Sequence, residues 1–311
     1  MELDVLTIFA ICSPYSIFAV WGWRCQYVAM EPLIRNISDT ARWAAVFRAR
    51  ETDRPDALFR DPLARRLAGE RGEQIANTMA HGSDNTWAWI MRTYLYDQVI
   101  RERIQQGVDM VINLAAGLDA RPYRMPLPDS LHWVEIDLPE LLAYKEDVLA
   151  GEKPGCRLER IALDLADTDA RRAVFTRLRD QANQALVITE GLLTYLSEDE
   201  VGSLARDLAA AATLRWWVLE LQSPGLLRFM QSTSGQVTAE AGAPMKFGPA
   251  EGPEFFVPHG WQPAEVHSIF QAAIRTNRLP LEAQAAANVT ESSGKPGDQF
   301  WSGVCLLQKG E

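Results

Sequence analysis

Apolar and polar positions change their rhythm near residue 108. Before it, apolar residues recur at helical spacing. Trp43, Val46 and Phe47 stand at i, i+3 and i+4 in TARWAAVFRAR, and Ile90, Tyr94 and Leu95 share one side of the run Trp87–Ile104. Ser38 and Asp39 are expected as N-caps of the first helix, and Asp61-Pro62 as the start of another with Pro at N1. No strand is expected before residue 108. Beyond it, short apolar runs alternate with helical ones. MVINL (110–114), WVEID (133–137), RLERIAL (157–163), ALVITEG (185–191) and RWWVLEL (215–221) read as strands. PELLAYKEDVLA, DTDARRAVFTRLRDQ and EDEVGSLARDLAAAA read as the helices between them. This alternation predicts an α/β fold, a parallel sheet with helices on both faces. Ligand-binding groups then belong at the carboxyl ends of the strands. After Leu221 the alternation loosens into a stretch rich in Gly, Ser, Pro and Ala. Phe255-Phe256-Val257 is expected as a short strand, Pro263–Ile274 as a helix, and QFWSGVCLLQ (299–308) as a closing strand.

The pattern divides the chain into an N-terminal extension (1–29), a helical cap (30–107) and a core (108–311), with 222–260 as an insertion on the substrate side. The extension is unusual. Val5–Trp23 carries no charge over 19 residues, close to the roughly 20 needed to span a bilayer. Glu2 and Asp4 precede it where a secretory signal has basic residues. Met30 opens MEPLIRNISDTARW like a fresh start. An upstream extension or misassigned start, a packed apolar helix and a membrane anchor all remain open for this segment.

Composition narrows the function. The formal charge of −10 disfavours a general nucleic-acid binder. Four Cys and four His are scattered without metal-ligand spacing, so neither a metal site nor a disulfide framework is expected. Lysine is scarce, at five against 26 Arg, and none precedes Lys145.

The most informative stretch is VINLAAGLDARPYRMPLPDSLHWVEID (111–137): strand, glycine-containing turn, link, then a second strand ending on Asp137, 20 residues after Gly117. A doubly wound domain holds an adenosine in this way, with a backbone turn near the ligand and an acid on the ribose hydroxyls. The pyrophosphate fingerprint G-x-G-x-x-G is absent, as is G-x-x-x-x-G-K-[ST], which disfavours nicotinamide and nucleoside triphosphate cofactors. S-adenosylmethionine (SAM), an adenosine without phosphate, fits better. Each residue also has a plainer reading. Gly117 can be a simple turn, Asp137 a helix cap or solvated acid, Asp164-Leu165 another cap, and Tyr195 a half-buried packing residue. Glu135 alternates to the other side of its strand. Glu190 closes the apolar LVIT and needs a partner if buried. Arg92, on a mainly apolar helix, suits a carboxylate clamp or a salt bridge to Asp97 or Asp61.

Taken together, ISDTARW (37–43), RPDALFRDPLARRLAG (54–69), NLAAGLDARPYR (113–124), WVEIDLPELLAYK (133–145), ALDL (162–165) and ITEGLLTYLSEDEV (188–201) resemble the leucine carboxyl methyltransferase-like family of SAM-dependent methyltransferases. The resemblance includes bacterial members grouped with polyketide O-methyltransferases and runs from about Ile34 to Leu307. It implies a class I, Rossmann-like, mostly parallel sheet with an N-terminal helical cap. It also implies a cytoplasmic enzyme of secondary metabolism. Carried over by residue, it implies Arg92 for the SAM carboxylate, Gly117 and Asp119 for the methionine side, and Asp137 for the ribose. Asp164 and Leu165 fall to adenine, Glu190 lies near the amino group, and Tyr195 is a candidate on the substrate side. Two positions depart from the pattern. Ala115 stands where many relatives have Gly and Ala120 where many have Thr, and a methyl group at 115 crowds the turn if φ is positive there.

The expected activity is O-methylation of a carboxylate or hydroxyl on a small organic metabolite. A protein C-terminal carboxyl methyltransferase and a non-catalytic SAM-fold protein are the alternatives. No nucleic-acid partner is expected, and a membrane only if residues 5–23 anchor the chain; the oligomeric state is left open. Trp43, Phe47, Trp87, Phe247, Phe255, Phe256 and Trp261 are the expected acceptor lining.

Overall fold

The computed structural model describes residues 37–79, 86–233, 235–280, 297 and 299–310. The run Val5–Trp23 and the Met30 start lie outside the described residues. Three helices come first: α1 (Ile37–Thr52), α2 (Ala64–Met79) and α3 (Thr86–Gln105). Then follow β1 (Met110–Leu114), α4 (Arg121–Arg124), β2 (His132–Asp137), α5 (Pro139–Val148), β3 (Arg157–Ala162), α6 (Thr168–Arg179) and β4 (Ala185–Thr189). After a 3-10 turn at Leu193–Tyr195 come α7 (Glu198–Ala209), β5 (Leu214–Gln222), α8 (Pro224–Ser232) and α9 (Gly235–Glu240). A 3-10 helix at Gly252–His259 leads to β6 (Trp261–Ser268), α10 (Ile269–Arg275) and β7 (Ser302–Lys309). No helix among the described residues is long and apolar enough to cross a membrane.

The sheet order is β3-β2-β1-β4-β5-β7-β6. The first five strands are parallel, and β7 runs antiparallel to both β5 and β6. The strand order reverses between β1 and β4, and the crevice at such a switch point is where open α/β sheets bind ligands. MVINL and ALVIT are buried at every position, as central parallel strands are. Met110, Ile112, Leu114, Val187 and Leu219 pack with Phe175 and Leu178 of α6 and Leu204 and Leu208 of α7. Val111, Ile188 and Val218 face the other way, toward Met91, Leu95 and Val99 of α3 and Ala272 and Ala273 of α10. Each such side chain contributes about 1.5–3 kcal/mol when fully buried, which fixes the sheet between two helical layers. Ser197 and Glu200 form a capping box that starts α7.

Several expectations are corrected. Phe255-Phe256-Val257 is not a strand but part of the 3-10 helix, because Phe255 and Phe256 turn their rings onto Phe247 and Phe256 onto Trp217. Residues 263–268 are not helical: they belong to β6, and the helix begins only at Ile269. This edge strand hides its alternation, since Gln262, Ala264 and the half-exposed Val266 face outward while Pro263 and Glu265 face inward. Pro263 sits at a register shift, where an edge strand tolerates a missing N–H. Pro62 lies in a turn and α2 starts at Ala64. Ser38 and Asp39 are already inside α1. β4 ends at Thr189, two residues early, because Gly191 takes φ +75° and leaves the strand.

Two local features carry the geometry of the sheet's upper edge. In the turn after β1, Ala115 adopts φ 51° and Gly117 φ 52°. The Gly117 N–H donates to Asp137 Oδ2 at 2.6 Å, which ties this turn to the end of β2. On β2, Glu135 is fully buried two residues below Asp137; it pairs with Lys145 Nζ at 2.8 Å and Arg160 Nε at 2.9 Å.

An alanine in the left-handed region costs about 1–2 kcal/mol, part of which glycine's greater unfolded-state freedom offsets. Ala115→Gly should therefore raise stability by about 0.5–1 kcal/mol in urea unfolding; a loss of stability would show that this turn is not strained. Lys145→Met removes one of two counter-ions from a buried carboxylate and should cost about 3 kcal/mol by the same measurement. A change below about 1 kcal/mol would show that Arg160 alone suffices for Glu135.

Candidate functional site

The strands deliver their chemistry to one place. A cavity of about 1460 Å³ opens over the carboxyl ends of β1, β2, β3, β4 and β5 and under the helices that precede the sheet. Arg92, Gly117, Asp119, Asp137, Asp164, Leu165, Glu190 and Tyr195 all line it. Glu135 does not line it, but not because it faces the other way as expected: two residues before Asp137 it shares that strand face, and it lies deeper, held by Lys145 and Arg160.

Asp137 is mostly buried at the tip of β2. Its two oxygens accept the N–H groups of Gly117 at 2.6 Å and Leu138 at 2.7 Å. Burial raises its pKa against the pull of these two donors. Asp164 is exposed and accepts the Ala166 N–H at 2.9 Å, so it also shapes the turn into α6. Leu165 beside it is half-buried.

Under the switch point lies a chain of buried ions. Arg92 Nε donates to Glu190 Oε1 at 3.1 Å, and its Nη1 lies 3.6 Å from Glu220 Oε1. The guanidinium stacks 4.6 Å from the Trp89 ring. Glu190 Oε2 meets Arg121 Nη1 at 2.8 Å. Arg121 in turn binds Asp119 at 2.9 Å and Asp97 at 2.7 Å, and Arg124 also holds Asp97. Asn113 donates to Asp119 at 2.9 Å. Burial pushes the Asp119 and Glu190 carboxyls up, but the neighbouring guanidinium groups outweigh it: Asp119 falls to about 2 and Glu190 also falls below the ordinary glutamate value. Glu220 differs. Burial raises its pKa, Arg92 only partly opposes this, and Glu190 adds to the rise. Tyr195 is also raised by burial, against the charge of Arg92 and a hydrogen bond with Thr40 of α1. It therefore remains a neutral phenol at the cavity wall.

Arg92 thus has carboxylate partners, but not the expected ones. Asp97 is taken by Arg121 and Arg124, and Asp61 by Arg48. The acceptor lining also differs in part. Trp43, Phe47 and Trp87 face the cavity, whereas Phe247, Phe255, Phe256 and Trp261 do not; they pack around Trp217 or one another in the core. Trp89, Phe229, Phe270, Phe300 and Trp301 line the cavity in their place. Sequence reasoning passed over Glu220 and Arg121. Glu220 carried the same signal as Glu190, a charge set in the apolar run WWVLEL. Arg121 pairs locally with Asp119, but its other partners, Asp97 and Glu190, are remote in sequence.

The profile of the leucine carboxyl methyltransferase family matches residues 41–209. A protein of Parafrankia sp., provisionally named an S-adenosyl-L-methionine-dependent methyltransferase, is 30% identical over 274 residues, covering 81% of this chain and 85% of its own. A similarly named protein of Streptomyces avermitilis is 32% identical over 250 residues, covering 77% of this chain and 87% of its own. Among solved structures, a provisionally named methyltransferase from Thermobifida fusca superposes with a TM-score of 0.59 at 16% identity, covering 93% of this chain and all of that one. A DUF574-family protein from Streptomyces avermitilis gives 0.58 at 12% identity, covering 87% and 97%. These two share the fold, a Rossmann-like sheet of the class I type. The chain belongs to the leucine carboxyl methyltransferase family and is a SAM-dependent methyltransferase.

Proposed function

We propose that this enzyme methylates an oxygen, carboxylate or hydroxyl, on a small and mainly apolar organic molecule. The character of the cavity carries this assignment. At about 1460 Å³ it exceeds the ~300–1,000 Å³ of an ordinary single-ligand pocket, which leaves space for an acceptor beside the cofactor. Its non-polar wall is aromatic, with Trp43, Phe47 and Trp89 clustered at ring separations of 5.3–5.7 Å. The four arginines on its wall, Arg48, Arg92, Arg121 and Arg171, are each already paired to a carboxylate. A peptide tail, with its row of polar backbone groups, would be poorly matched to such an aromatic lining, which disfavours the protein C-terminus as acceptor.

The polar wall has the donors and acceptors that SAM requires. Asp137 supplies carboxylate oxygens for the ribose hydroxyls. Asp164 accepts from the adenine amino group while Leu165 packs the ring. Gly117 and Asp119 border the methionine side. Arg92 takes the carboxylate, using Nη2, which has no hydrogen-bond partner among the described residues. Glu190 lies near the ammonium. When bound, SAM supplies a methyl group on a sulfonium, whose departure needs no protonation. The protein's part is then orientation, which can supply most of the rate. A carboxylate acceptor, with an ordinary pKa of ~4, is ionised at neutral pH and needs no general base. None of the described histidines lines the cavity, in keeping with such an acceptor. Tyr195 offers a neutral hydroxyl to orient it.

Calorimetry should show SAM binding and no NAD binding. Asp137→Ala should weaken SAM by about 1.5–3 kcal/mol, the range for a hydrogen bond to a charged group. Unchanged affinity would remove Asp137 from the site. Labelled SAM incubated with cell extract and the enzyme should mark small molecules, and label found only in protein would favour the protein carboxyl terminus. Mild alkali then separates the two oxygen classes, because a methyl ester releases methanol and a methyl ether does not.

A further inference from the structure

Two carboxylates flank Arg92, and they are not equivalent. Glu190 is compensated twice, by Arg92 at 3.1 Å and by Arg121 at 2.8 Å, the latter being almost fully buried. Glu220 has no comparable counter-charge. Its Oε1 accepts the Gly191 N–H at 2.6 Å and lies 3.6 Å from Arg92, beyond hydrogen-bonding distance. Its Oε2 lies 2.7 Å from the Tyr96 hydroxyl, and that hydroxyl lies 2.8 Å from the carbonyl oxygen of Thr189. The phenol has one proton for two acceptors. An ionised Glu220 would leave one of these short contacts as oxygen against oxygen with no hydrogen between them. A protonated Glu220 satisfies both: Oε2–H donates to Tyr96, and Tyr96 donates to Thr189.

We infer, resting on the SAM site assigned above, that Glu220 holds a proton in the ligand-free enzyme and gives it up to solvent when the ligand's ammonium arrives. The carboxylate so formed joins Glu190 as a counter-ion of that ammonium. One O–H bond is broken, one proton goes to water, and the ion pair formed replaces the hydrogen bond to Tyr96, which then donates to one acceptor only. The raised pKa of Glu220 agrees with this proton count. Among the described residues the titratable groups facing Glu220 are Arg92 and Tyr96 on α3, Glu190 after β4, Tyr195 in the following turn and Cys305 on β7. Arg92 is the cation among them. Arg92 meets the ligand's carboxylate through Nη2 and so shares its charge with a third anion, and the ammonium supplies the counter-charge that Glu220 lacks. Because binding releases a proton, affinity rises with pH through the Glu220 pKa.

The test is calorimetry of S-adenosylhomocysteine (SAH) binding in buffers of different ionisation enthalpy. It is run near pH ~6.5, where an α-amino group with pKa of about 7.7–8.0 is protonated. The wild-type enzyme should release protons on binding SAH and none on binding the deaminated analogue of SAH, which keeps the carboxylate. Glu220→Gln should abolish the release. It should also weaken SAH about tenfold, or ~1.4 kcal/mol, and leave the deaminated analogue unchanged. SAH binding without proton release, or equal release by the Gln variant, would overturn the inference. Should that variant not fold, infrared difference spectra of the wild-type enzyme decide. SAH, but not the deaminated analogue, should convert a protonated carboxyl band into a carboxylate band, and a persistent protonated band would overturn the inference. Failure of SAH to bind at all would instead overturn the site assignment, and this inference with it.

Discussion

The ion chain from Arg124 through Asp97, Arg121 and Glu190 to Arg92, with Glu220 beside its end, is the constraint on which the upper edge of the sheet depends. It joins α3, α4 and the ends of β4 and β5, so the helices before the sheet and the sheet itself share one set of charges. Buried ions of this kind add little net stability compared with apolar packing, but removing one member strands its partner at a cost of about 3–5 kcal/mol. The chain therefore acts as a register. It holds the switch-point crevice open with charged groups where an apolar core would close. The same charges set the local acidities. Glu190 and Asp119 are kept ionised, and Glu220, with the weakest compensation, is not.

A second tie complements the first. The Gly117–Asp137 hydrogen bond links the turn after β1 to the tip of β2. The turn holds Ala115 in a left-handed conformation that glycine adopts more cheaply. Strain of this size survives only where surroundings impose it, and it gathers at functional sites. The methyl group of Ala115 is thus accommodated by the backbone. Asp137 consequently has two duties, shaping the turn and facing the cavity.

The sequence pattern exposed most of the core. β1 and β4 are apolar, β2 ends on Asp137, and Gly117, Asp164 and Glu190 come just past strand ends, where loops reach the ligand side. Three kinds of feature were hidden. β6 places polar residues inward on an edge, so period-2 alternation in hydrophobicity does not mark it. The aromatic residues near 247–261 look like a pocket wall, but in three dimensions they pack on Trp217, and only the sheet's location reveals this. Arg121 and Glu220 acquire meaning through partners 69 or 29 residues away, Glu190 and the Gly191 N–H, which no local window contains. Arg92 was legible as a charge in need of a partner, but the identity of that partner was not.

The most direct measurement is a crystal structure of the enzyme with SAH. The account predicts the ribose on Asp137, adenine beside Asp164 and Leu165, the carboxylate on Arg92 and the amino group within hydrogen-bonding distance of Glu220, with the aromatic wall left for an acceptor. A ribose away from Asp137, or an amino-acid end against the aromatic wall, would contradict it.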